Sequence, residues 1–209
     1  MTSAAFSIHE GLVDSSRLSG WIGQRDRIRP LEMSMLLLVG LSAALATAFV
    51  HFGVRIPGHS IVRAVFPMAL GLAVAPRRLA GSVMGAGSII GVTVLSLGGF
   101  ATFGIGALVS LFLSGPLLDI ALWNAKRGGR VYLGFALCGL GSNLAAFGTR
   151  GGIKLLGLDH AGGRPLMAWL PEAAFTYALC GVLAGLLSAA VWFQWTSRQG
   201  SRKEREPAA

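Results

Sequence analysis

The strongest constraint on this chain is a series of apolar runs whose short gaps collect the basic residues. The runs are 31–51, 60–77, 79–98, 101–123, 131–149 and 172–195. A helix needs about 20 mostly apolar residues to cross hydrocarbon roughly 30 Å thick. In lipid the backbone must satisfy its own hydrogen bonds, which leaves helices or closed barrels. The reading is therefore all-α: an integral membrane bundle of six transmembrane helices over 31–195, with a polar arm (1–30) and a charged tail (196–209). The second and third runs are short and separated only by Pro76-Arg77-Arg78. They fit a membrane if tilted or partly buried against neighbours.

Composition supports this. Hydrophobic residues make up 53 % of the chain and charged residues 13 %, against about 25 % charged in soluble domains. A net charge of +9 in a soluble protein would point to nucleic acid. Here the cations sit between apolar runs, which is the membrane pattern, and no nucleic-acid partner is expected. The first 30 residues hold no uninterrupted apolar stretch, so no cleavable signal peptide is expected. Ser7 to Leu12 has the pattern of a short surface helix, the alternative being a solvated arm. The tail from Thr196 is charged and expected to be disordered.

Charge sets the direction. With both termini cytoplasmic, 13 of the 18 basic residues fall inside: Arg17, Arg25, Arg27, Arg29, Arg77, Arg78, Lys126, Arg127, Arg130 and the group from Arg198 to Arg205. The positive-inside rule then predicts an N-in, C-in topology, and the expected location is a bacterial inner membrane. His51, His59 and His160 come out on the outer side and His9 on the inner. The segment from Gly151 to Pro171 is too polar and Gly-rich to span and reads as an outer loop.

Small residues recur at spacings of four: Ala44 and Ala48, Ser42 and Ala46, Gly81 and Gly85, Gly87 and Gly91, Gly181 and Gly185. Such pairs let backbones approach closely. They serve packing within the bundle or, on the first helix, docking of a partner helix.

Chemistry is sparse. There is no Gly-x-x-x-x-Gly-Lys-Ser/Thr, no His-Glu-x-x-His and no nucleophile motif, so an enzyme is not expected. Cys138 and Cys180 lie inside apolar runs and read as small core residues. Asp119, near the inner end of the fourth run, is the only acidic candidate within a span, and either pairs with Lys126 or Arg127 or serves a proton relay. Asn143 wants partners in hydrocarbon, from a neighbouring helix or a solute cavity. Glu172, after Pro171, caps the last helix or joins an outer site. His59, with Arg63 one turn on, is the sharpest binding candidate. With His51 and His160 it makes a tentative transition-metal site, the alternative being unrelated interfacial histidines. The substrate-binding candidates are thus His59, Arg63, Asn143 and Glu172.

Certain stretches resemble the substrate-binding subunits (S components) of energy-coupling-factor transporters. These are Ala44-x-x-x-Ala48 and the run from Gly71 through Pro76-Arg77-Arg78 to Gly81. Closer still is the cobalt/nickel branch, the CbiM/NikM type. The likeness spans Ala44 to Trp123, at Ala48-Phe49-Val50, Gly58-His59, Gly98-Gly99 and Gly115-Pro116-Leu117. The resemblance implies a solute-capture subunit of an ATP-driven importer, partnered by a coupling membrane subunit and ATPase subunits. It also implies that His59 is a metal ligand and that nickel or cobalt is cargo rather than cofactor. The chain begins Met1-Thr2-Ser3, without the histidine and additional first helix with which that branch also holds metal. Beside the importer stand an accessory subunit of a membrane complex and, last, a lipid-acting enzyme built on His59 and Arg63.

Overall fold

The computed structural model describes residues 28–50, 58–75, 77, 79–122, 128–157 and 166–205. They form six helices: α1 Pro30–Phe49, α2 Ile61–Val74, α3 Ala80–Leu97, α4 Ile105–Leu122, α5 Gly128–Leu155 and α6 Leu166–Arg205. No strand occurs among the described residues. Five helices contain a stretch long and apolar enough to cross a membrane, and α2 is shorter. The architecture is therefore all-α, as expected of a multi-pass membrane protein.

The elements follow from the sequence locally. Pro30 opens α1, where a missing N–H is harmless. Glu32 accepts a hydrogen bond from the Arg29 backbone N–H at 3.1 Å, half of a capping box. Pro67, Pro116 and Pro171 all lie inside helices. Membrane helices tolerate proline where neighbouring helices, hydroxyl side chains or ordered waters satisfy the freed carbonyls.

Helix α2 is the hub. Its 14 residues span about 21 Å, less than a bilayer's hydrocarbon. None of its described residues is exposed. It lies chiefly against α6 and α1 and also touches α3, α4 and α5. Ile61, Val65, Met68 and Leu72 enter a core completed by Leu36, Met84, Leu118 and Phe135. The outer helices show the opposite face. Leu38, Leu45 and Phe49 of α1, Ile90 and Val94 of α3, and Phe175, Leu179, Leu183 and Leu187 of α6 are exposed. An apolar belt of this kind suits lipid.

The small residues serve contacts inside the chain. A Cβ at Gly40 would collide with the Met84 carbonyl oxygen, and one at Gly87 with the Leu37 carbonyl oxygen. Ser88 seals the α1–α3 seam by donating to the Gly40 carbonyl at 2.9 Å. Gly81 meets Gly115 between α3 and α4, and Gly139 meets Gly181 between α5 and α6. Ala43 and Ala44 are fully buried and sit in a core cluster with Val92. Ala44 thus packs within the bundle, while Ser42 on the same helix is exposed.

Two other expectations change. The outer loop 151–171 is shorter than the sequence suggests, since α5 continues to Leu155 and α6 begins at Leu166. Helix also continues through the charged tail to Arg205.

Candidate functional site

The bundle has two polar ends. At the first, the turn from α2 to α3 is fastened twice. Arg77 grips Glu32 of α1, with Nη2 2.8 Å from Oε1 and Nε 3.1 Å from Oε2. Asp119 of α4 accepts from the backbone N–H of Gly81 at 2.9 Å and of Ser82 at 2.6 Å, and from the Ser82 hydroxyl at 2.6 Å. The carboxylate thus caps α3 from a neighbouring helix, where the helix dipole favours negative charge. The expected pairing with Lys126 or Arg127 falls on two residues outside the described set. Between the two fasteners Leu79 takes the left-handed region, at φ 68°. This end is mechanical, because every described acceptor on Asp119 is directed at α3.

The opposite end holds the candidate binding residues. Arg63 of α2 reaches α1 and donates from Nη1 to the carbonyls of Thr47 and Val50. Those are C-terminal carbonyls with no helical donor, and a cation there also meets the negative end of the dipole. Arg63 Nε is buried and has no hydrogen-bond partner among the described residues.

Asn143 of α5 is 1 % exposed. Its Nδ2 donates to the Tyr177 carbonyl of α6 at 2.7 Å and to the Gly58 carbonyl at 3.1 Å. Two facing carbonyls fix the orientation of the amide, since the flipped form would place oxygen against oxygen. Oδ1 is then left buried without a partner among the described residues, a condition that costs about 1–3 kcal/mol. Gly58 fits because it has no side chain: φ is +85°, and a Cβ would lie 2.8 Å from Asn143 Nδ2. Asn143 therefore bonds a neighbouring helix and also clamps the start of α2.

Beyond Asn143, α5 and α6 run on for roughly 17 Å. Asn143, Phe147, Arg150, Gly151 and Lys154 follow helical spacing and form one stripe toward α6. Phe147 stacks on Trp169 with centroids 5.5 Å apart and tilts against Tyr177 at 5.6 Å. Arg150 Nη1 donates to the Tyr177 hydroxyl at 3.1 Å. Lys154 Nζ stands 4.8 Å from the Trp169 ring centre. The sequence reading missed this stripe because Gly151 and Gly152 look like a loop. The available signal was the spacing of Phe147, Arg150 and Lys154 continuing the helix of Asn143.

Four of the sequence candidates find places here. His59 is half-buried in the turn before α2, and Arg63 and Asn143 flank that turn. Glu172 is exposed on α6 and lies a full turn and more inside the helix, so it does not cap its start. His51 and His160 lie outside the described residues. Among the described residues, no three His, Cys, Asp or Glu side chains form a metal-holding group. Cys138 is buried at the α4–α5 seam, where it and Ser142 meet Ser114. Compared with protein-family models, curated proteins and solved structures, the chain matches none.

Proposed function

We propose that this chain is the membrane-embedded solute-binding subunit of an energy-coupling-factor type importer. It crosses a bacterial inner membrane six times with both termini inside, and it works with a coupling membrane subunit and ATPase subunits. It captures cargo at the end that carries Gly58, His59 and Asn143. One observation supports the reading above the rest: the Oδ1 of Asn143, buried beside the start of α2 and without a hydrogen-bond partner among the described residues. A polar group kept inside hydrocarbon needs partners, and Asn143 Nδ2 has found two while its Oδ1 is left open to a solute. The Arg63 Nε supplies a second unsatisfied group at the same end. The resemblance from Ala44 to Trp123 supplies the transporter class, and through His59 it extends the range of cargo to nickel or cobalt.

The alternative, an accessory subunit without cargo, is favoured by the structural duties of Arg63 and Asn143. The two readings separate on purification. The protein is isolated in nanodiscs, bound metals are measured by elemental analysis and organic solutes by native mass spectrometry, and co-purifying ATPase chains are identified. A bound solute lost in His59→Ala or Asn143→Ala, with ATPase chains present, supports the importer. Recovery of neither solute nor ATPase refutes it. Cysteine labelling of positions 59 and 128 from the same side would sink the six-span topology.

A further inference from the structure

Two cations on α5 are placed against local preference. Arg150 and Lys154 stand four residues apart on one face, where like charges repel. Both lie at the Gly58 end, and each is turned toward an aromatic residue of α6. Arg150 bonds the Tyr177 hydroxyl, and Lys154 stands over Trp169. Phe147 backs both rings. Among the described residues of this part of α6 the acidic one is Glu172, and it is exposed. Asn143, 1 % exposed with an unpaired Oδ1, lies on the same stripe two turns below.

We infer that this end of α5 and α6 binds a small organic anion with a flat apolar body. The anionic group sits between Arg150 and Lys154, and the body lies along the Phe147–Trp169 stack. The inference rests on the solute-capture reading and narrows its cargo. Chemistry decides against the other classes. An organic cation would have to displace the Lys154 ammonium from Trp169 and then meet two like charges. A divalent metal would meet the same repulsion. An anion gains two charge-assisted contacts, and the aromatic surface adds apolar burial.

The test uses benzoate, its neutral isostere benzamide, and benzylammonium. Each is titrated by calorimetry into the full chain in phosphatidylcholine nanodiscs. Benzoate is expected to bind at least tenfold more tightly than either of the others, a difference of about 1.4 kcal/mol. Lys154→Gln is expected to weaken it about tenfold. Arg150 also packs over Gly106, so Arg150→Gln is a secondary variant, and Lys154→Gln at the helix end keeps the test open should that variant misfold. Equal binding of benzamide or benzylammonium overturns the anion assignment while leaving solute capture standing. Undiminished benzoate binding in Lys154→Gln also overturns it. If no probe binds and the purified protein carries no small molecule, both readings fall. Repeating the titration with phosphatidylglycerol present separates the two sources of such an anion. Retained benzoate binding supports a soluble cargo, and its loss assigns the site to a lipid headgroup and overturns the soluble one.

Discussion

Replacing Asp119 by alanine tests the mechanical end directly. The carboxylate receives three hydrogen bonds from Gly81 and Ser82, two of them from backbone N–H groups at the first turn of α3. Hydrogen bonds to a charged group contribute about 1.5–3 kcal/mol each, and loss of an N-cap costs about 1 kcal/mol. The three share one acceptor and one helix end, so they do not add, and the expected loss is about 3 kcal/mol. Ser82→Ala removes only the hydroxyl and is expected to cost about 1 kcal/mol. Reversible unfolding by steric trapping in bicelles measures both. The competing arrangement is an ion pair with Lys126 or Arg127. It predicts that Lys126→Ala with Arg127→Ala matches Asp119→Ala and that salt weakens the wild type. If Asp119→Ala costs less than Ser82→Ala, or equals the double cation variant, the capping argument is wrong.

Other sites give sharper contrasts. Asn143→Asp should destabilise more than Asn143→Ala, itself about 2 kcal/mol, because a carboxylate would face the Gly58 and Tyr177 carbonyls; the reverse order in the same unfolding assay would mean the amide is flipped. Leu79→Gly should stabilise by about 1 kcal/mol, since a left-handed residue with a Cβ carries roughly that penalty; no gain would place the strain elsewhere. Gly40→Val should cost 3 kcal/mol or more, roughly the upper range for overpacking, whereas Gly148→Ala, with open space around it, should change stability by less than about 0.5 kcal/mol. Equal effects at the two glycines would refute the close α1–α3 approach.

Much of the fold was legible because membrane helices are written in composition. The runs around α1, α3 and α4 match the observed helices to within a few residues, since lipid leaves the backbone no other hydrogen-bonded form. The partners of polar residues were far less legible. Asp119 has Lys126 and Arg127 nearby in sequence, yet its partner is the α3 start, 37 and 38 residues away. Arg77 looked like a charge in a loop and is tied to Glu32, 45 residues earlier. The last turns of α5 were missed for a different reason. Gly151 and Gly152 weaken helices in water, but the helix continues through both of them to Leu155. Pro171 similarly suggested a helix start where the helix is already under way.

The enclosure of α2, none of whose described residues is fully exposed, has a consequence for how the chain is made. A 14-residue helix with little lipid-facing surface has little to hold it in the bilayer by itself. Its most extensive cover comes from α6, which is synthesised after it. Helix α2 therefore waits for α6 before its surroundings are complete. Until then its apolar surface needs a stand-in, such as an insertase or α1. Chains cut short before α6 should be cleared by membrane proteases, however well their other helices insert.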